Sequence, residues 1–176
     1  MKRAKQDMDD HNPRTDVEAG RRVNVSPDRP SDGSEFDARE WPFFWLTHAT
    51  GLYLMHLERS LKKVGLDIGR WRVLMCVPPG QALSVSEISE LAIVKLPTMM
   101  KLVQRMEAEG LVSCETRATD GRVTEVSLTD EGLFARTRAW QAAGKIFTRI
   151  FGGDNGLDVN ALNLQLRQIV VRLEDN

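Results

Sequence analysis

The chain has 176 residues, with 24 Lys or Arg against 25 Asp or Glu, a net charge of -1, and 41% hydrophobic residues. That length suits one domain, or one domain with an accessory element, and the apolar content suffices for a core. The even charge balance excludes a globally basic chain, so any contact with a polyanion must come from a local basic face.

Residues 1–40 carry eight Lys or Arg, ten Asp or Glu, three prolines and Phe36 as the only aromatic. Such a segment buries too little apolar area to offset its ordering entropy, so a disordered or partner-ordered tail is predicted. Charged residues follow Met1 with no apolar run, and no stretch approaches the roughly 18 apolar residues of a membrane span. A soluble cytoplasmic protein is expected. Cys76 and Cys114 are too few and too isolated for a disulfide framework or a zinc site, and are expected to be inert packed thiols.

From Pro42 to about Val64 the pattern is helical and rich in large side chains, with Gly65 placed to end the helix. A second helix is predicted from Ile68 to Val77, stopped by Pro78-Pro79-Gly80. Ser84 and Glu87 have the spacing of a capping box and open a third helix with Val85, Ile88, Leu91 and Ala92 inward. A fourth spans about Pro97 to Glu109. Met99, Leu102, Val103 and Met106 form its buried stripe, and Lys95 and Leu96 offer no good N-cap. Leu111–Arg117 and Val123–Leu128 read as a hairpin around Asp120-Gly121. Thr129 can cap a fifth helix running to about Phe151. After Gly152-Gly153-Asp154-Asn155-Gly156, a last helix from Asp158 places Val159, Leu162, Leu166, Ile169 and Leu173 on a narrow seam suited to pairing with another helix.

The order of these elements is a helix-turn-helix followed by a two-stranded wing, flanked by long helices. The stretch from Ser84 to Gly132 resembles the MarR family of bacterial transcription regulators. The marks are "SEISELA", "TMMKLVQRMEAEGLV", Asp120 and Arg122 in the wing, and "LTDEG" at Leu128–Gly132. "WRVL" at Trp71–Leu74 adds to them. The resemblance covers about residues 41–176. It implies a mainly α fold with a small β-hairpin wing. The DNA-binding lobe would span 66–129, and the dimerisation helices 41–65 and 130–176. It also implies a homodimeric repressor of a palindromic operator, released by a small ligand.

The residues themselves point the same way. Opposite the buried stripe, the fourth helix shows Pro97, Thr98, Met100, Lys101, Gln104 and Arg105. The early residues of a recognition helix reach base edges, where Thr98, Met100, Lys101 and Gln104 offer hydrogen bonds or methyl contacts. Arg105 suits a phosphate. Pro97 departs from the small polar residue usual at its place in the family. In the wing, the resemblance implies that Arg122 enters the minor groove or grips its phosphates and that Asp120 orients it, and Arg117 adds a phosphate contact. Ser84 and Ser86 could hold a phosphate at a helix N-terminus, with capping alone as the plainer role. Between Arg70 and Arg122 seven Lys or Arg face six Asp or Glu, so binding should rest on a few placed cations.

For the ligand, Trp45, His48, His56, Trp71 and Arg72, with Trp41, Phe44 and Tyr53 beside them, would suit an aromatic carboxylate or related anion. No cofactor or metal is expected. An enzyme is not expected either, because no nucleophile–base pair, phosphate loop or metal spacing is present. The alternative is a winged-helix module used for protein contacts without specific DNA binding.

Overall fold

The structure, a computed structural model, describes residues 37–153 and 156–175. All but the last four residues of the expected tail lie outside the described residues. The described residues divide into two units, one ending at Ala49 and the other beginning at Thr50.

In the first unit, a single 3₁₀ turn at Ala38–Glu40 is capped by Asp37, whose carboxylate accepts from the Arg39 N–H at 2.9 Å. Helix α1 (Pro42–Lys62) begins directly after it. The Trp45 indole N–H donates to the Arg39 carbonyl at 2.7 Å, and the Phe44 ring lies 5.1 Å from Trp45 and 4.5 Å from His48.

The second unit holds the rest of α1, then α2 (Ile68–Cys76), β1 (Leu83–Ser84), α3 (Val85–Leu91) and α4 (Leu96–Ala108). It continues with β2 (Val112–Thr116), β3 (Thr124–Leu128), α5 (Asp130–Phe151) and α6 (Val159–Glu174). The fold is mainly α with a small antiparallel sheet, a winged helix. The hairpin pairs Val112 with Leu128 through Thr116 with Thr124. One strand was not expected: β1 adds to the free edge of β3, pairing Leu83 with Val126, so the sheet order is β1-β3-β2.

Helix ends follow local chemistry. Asp67 caps α2 by accepting from the Arg70 N–H, and Thr129 caps α5 by accepting from the Gly132 N–H. The capping box at Ser84 and Glu87 is complete in both directions. Three helices close through the same pair of backbone hydrogen bonds, which requires a left-handed residue just past the helix. After α1 they run from Gly65 to Lys62 and from Leu66 to Leu61; after α4, from Gly110 to Glu107 and from Leu111 to Met106. Gly65 (φ 75°) and Gly110 (φ 74°) adopt that conformation without strain. After α3 the bonds run from Ile93 to Glu90 and from Val94 to Ser89, and here the left-handed residue is Ile93, at φ 51°.

The core gathers Leu57 and Leu61 of α1, Val73 and Leu74 of α2, Ile88 of α3 and Val126 of β3 around the buried stripe of α4 (Met99, Leu102, Val103 and Met106). From α5 it takes Ala135, Ala139 and Ala143, small side chains that let the helix lie close. Helix α6 is capped by Asp158, but none of its residues is buried: Val159, Leu166 and Ile169 are half-buried, Leu162 and Leu173 exposed.

The junction of α4, wing and α5 is tight. The Thr129 hydroxyl donates to the Gly110 carbonyl at 2.6 Å while accepting from Gly132, and the Thr129 N–H reaches the Leu111 carbonyl at 3.3 Å. A Cβ on Gly132 would lie 1.9 Å from the Leu111 carbonyl oxygen, so only glycine fits without backbone movement. Gly132→Ala should lower unfolding free energy by about 1–3 kcal/mol, as overpacking does. Urea denaturation of both proteins checks this; equal midpoints would show that the junction yields freely.

Candidate nucleic-acid interface

The buried stripe of α4 fixes which way the helix faces. With Met99, Leu102, Val103 and Met106 inward, Pro97, Thr98, Met100, Lys101, Gln104 and Arg105 are all exposed. Lys95 occupies the N-cap position and makes no side-chain cap, so packing and Pro97 start the helix.

Arg70, which the sequence reading did not single out, anchors the far end of α4. It sits in the first turn of α2, and its guanidinium forms a two-pronged pair with Glu109 and a further bond to Asp67. The Arg70 hydrogen bonds hold the Glu109 carboxyl below the usual carboxylate range. Arg70 lies 39 positions from Glu109, so no local pattern signals the pair. Arg136 on α5 was also missed. Its guanidinium donates to the carbonyls of Leu74 and Val77, satisfying the buried end of α2.

The wing tip is a loop of residues 117–123, closed by the Arg117 N–H donating to the Val123 carbonyl at 2.9 Å. Inside it, the Asp120 N–H reaches the Arg117 carbonyl and the Val123 N–H the Asp120 carbonyl. The Asp120 carboxylate accepts from the backbone N–H of Arg122 at 3.0 Å, so it shapes the loop rather than gripping the guanidinium. Gly121 is not in a left-handed conformation, and a Cβ there would meet only Thr116 at 3.9 Å; the turn does not depend on glycine. Arg117 is engaged with Glu125 across the hairpin at 2.7 Å. Lys95, Lys101 and Arg122 are exposed and make no ion pair among the described residues.

Ser84 is buried, and its hydroxyl both donates to and accepts from Glu87, so its hydrogen-bonding capacity is spent inside the helix cap. Ser86 is exposed. Of the residues considered for a ligand, Trp45 and His48 belong to the first unit, and His56, Trp71 and Arg72, all half-buried, to the second. An open cleft of about 670 Å³ lies elsewhere on α5, lined by Gln141, Gly144, Lys145, Thr148 and Arg149. Both thiols are half-buried. Burial raises Cys76, and burial with the Glu107 carboxylate pushes Cys114 up to about 11, so neither is activated. Among the described residues, no three His, Cys, Asp or Glu side chains gather to hold a metal, and no helix is long and apolar enough to cross a membrane.

A positioning helix, a turn, an outward-facing helix and a hairpin with an exposed arginine define a winged helix-turn-helix transcription regulator. No protein-family model matches the chain. The HTH-type transcriptional repressor IacR of Pseudomonas putida is 41% identical over 140 residues, which span 80% of this chain and 84% of that protein. A MarR-family regulator from Silicibacter pomeroyi shares the fold at TM-score 0.69 and 20% identity, covering 79% of this chain and 96% of that one. CouR from Rhodococcus jostii RHA1, solved bound to p-coumaroyl-CoA, shares it at TM-score 0.65 and 23% identity, covering 72% and 90%. The chain belongs to the MarR family of transcription regulators, DNA-binding proteins rather than enzymes.

The Arg70–Glu109 pair gives the lobe a pH dependence. A carboxyl held below its ordinary value adds stability above about pH 4, and that contribution is lost as pH falls through the lowered value. Glu109→Gln should therefore lower the melting temperature at pH 7, with a loss of about 1 kcal/mol or less in unfolding free energy for a pair partly open to solvent. The gap to the unmodified protein should close in acid; melting curves at several pH values measure it, and a gap constant with pH would assign the loss to packing.

Proposed function

We propose that this protein is a homodimeric repressor that binds a palindromic operator and is released by a small aromatic or anionic ligand. The observation that carries the DNA reading is the outward face of α4 beside the wing. Thr98, Met100, Lys101 and Gln104 stand exposed over a fully buried stripe, and Pro97 sets the start of the helix. In this reading α4 enters the major groove and its first turns meet base edges. Arg105, further along, meets phosphate. Arg122 extends into the adjacent minor groove, whose negative potential suits a guanidinium. Asp120 holds the backbone from which Arg122 projects, and Arg117, paired with Glu125, keeps the hairpin in register. Ser86 and the backbone at the start of α3 lie where a phosphate could rest.

A homodimer is favoured by the apolar surface left on the long helices. Trp140 and Phe147 on α5 are exposed, as are Leu162, Leu164, Val171 and Leu173 on α6. A second copy covers such surface and sets two recognition helices about 34 Å apart, one on each half-site. Fluorescence anisotropy against palindromes flanking its own gene, at several salt concentrations, tests the reading. Operator DNA should bind at least ~1,000-fold more tightly than random DNA. Arg122→Ala should weaken operator binding while leaving the dimer, read by sedimentation, unchanged. Equal affinity for operator and random DNA would overturn the function.

The ligand reading rests on the aromatic and cationic side chains of each unit, Trp45 and His48 in one and His56, Trp71 and Arg72 in the other. The aromatic thioester seen in CouR, a protein of the same fold, supports the chemical class. Aromatic acids and their thioesters, screened by thermal shift, should include one that raises the melting temperature and dissociates the operator complex. A panel without any stabilising compound would leave repression without this release.

A further inference from the structure

We infer that Ile93, with Leu96 and Met100, forms an apolar strip that reads thymine 5-methyl groups in the operator. The inference rests on the DNA reading above and adds a specificity determinant that the outward face of α4 does not supply by itself.

Three helices close with the same backbone bonds, and two of them place glycine at the left-handed position. The third places isoleucine there, at φ 51°. A β-branched residue in this conformation is a strained outlier, and its side chain gains little burial among the described residues, because Ile93 is 90% exposed. The turn is otherwise firmly held, with the Ser89 hydroxyl donating to the Val94 carbonyl at 2.6 Å. The strained side chain is therefore held out rather than left loose.

Its neighbours along the chain indicate what it meets. Leu91 (63%), Met100 (47%) and Leu96 (41%) are also exposed, and Leu96 and Met100 stand one helical turn apart on α4. From Leu91 to Met106 the only charged residues are Lys95, Lys101 and Arg105. An exposed apolar stretch interleaved with these three cations, with Glu90 the carboxylate at its edge, matches a polyanion that carries apolar groups. In the major groove of DNA that group is the thymine methyl. Ile93 lies three residues before the start of α4, at the end of the helix that approaches base edges.

The experiment replaces operator thymines with deoxyuridine, which removes the methyl groups and leaves every base pair. Unmodified protein should lose about fourfold in affinity for each contacted methyl, the effect of returning one buried methyl to water. Ile93→Gly, which relieves the strain, should melt at the same temperature or higher, bind thymine operator more weakly, and discriminate less between thymine and uracil. Ile93→Val should retain part of the discrimination. Equal affinity of the unmodified protein for the two operators overturns the inference and leaves operator binding standing. An unchanged thymine-to-uracil ratio in Ile93→Gly removes Ile93 from the strip. No specific binding to either operator removes both this inference and the function on which it rests.

Discussion

One threonine hydroxyl and one missing methyl fix the junction of α4, the wing and α5. Thr129 donates to the Gly110 carbonyl that follows α4 and accepts from the Gly132 amide in the first turn of α5. Gly132 lets that first turn lie against the Leu111 carbonyl, where any side chain would collide. The wing departs from this junction at Val112 and returns to it at Leu128. Helix α4, the wing and α5 thus share one joint, and the placement of the exposed face of α4 relative to the wing is set there.

Electrostatics completes the arrangement by occupying the cations that serve structure. Arg70 joins the start of α2 to the end of α4, Arg136 caps the end of α2, and Arg117 spans the hairpin. Lys95, Lys101 and Arg122 remain exposed without ion pairs among the described residues, on the face formed by α4 and the wing. A chain of net charge -1 can still hold out a few exposed cations, because Arg70 and Arg117 are paired with Glu109 and Glu125 while these three are not.

Where the determinants were local, the sequence revealed them. The capping box at Ser84, the stripe from Met99 to Met106, the cap at Thr129 and the closing glycines at Gly65 and Gly110 each depend on residues within a turn or two. Long-range partners were hidden. Nothing near Arg70 announces Glu109, and Arg136 meets carbonyls about sixty positions away. The Arg117–Glu125 pair becomes visible only once the strand register is known. Strand β1 has two residues, too few to leave a pattern. Gly121 misled in the opposite sense: a turn-forming residue stands where the turn does not need one. The strain at Ile93 was invisible because isoleucine gives no sign of a left-handed backbone. Local motifs therefore outlined the exposed side chains of α4, while the pairings that hold them required the fold.

Helix α5 runs 22 residues from the shared joint, about 33 Å at 1.5 Å per residue. It is a lever with the recognition helix fastened to its short end. Tilting such a rod by about five degrees about its far end moves the joint by about 3 Å, close to the ~3.4 Å spacing of successive base pairs. A displacement too small to disturb the packing of any one side chain is then a full step of misregister on DNA.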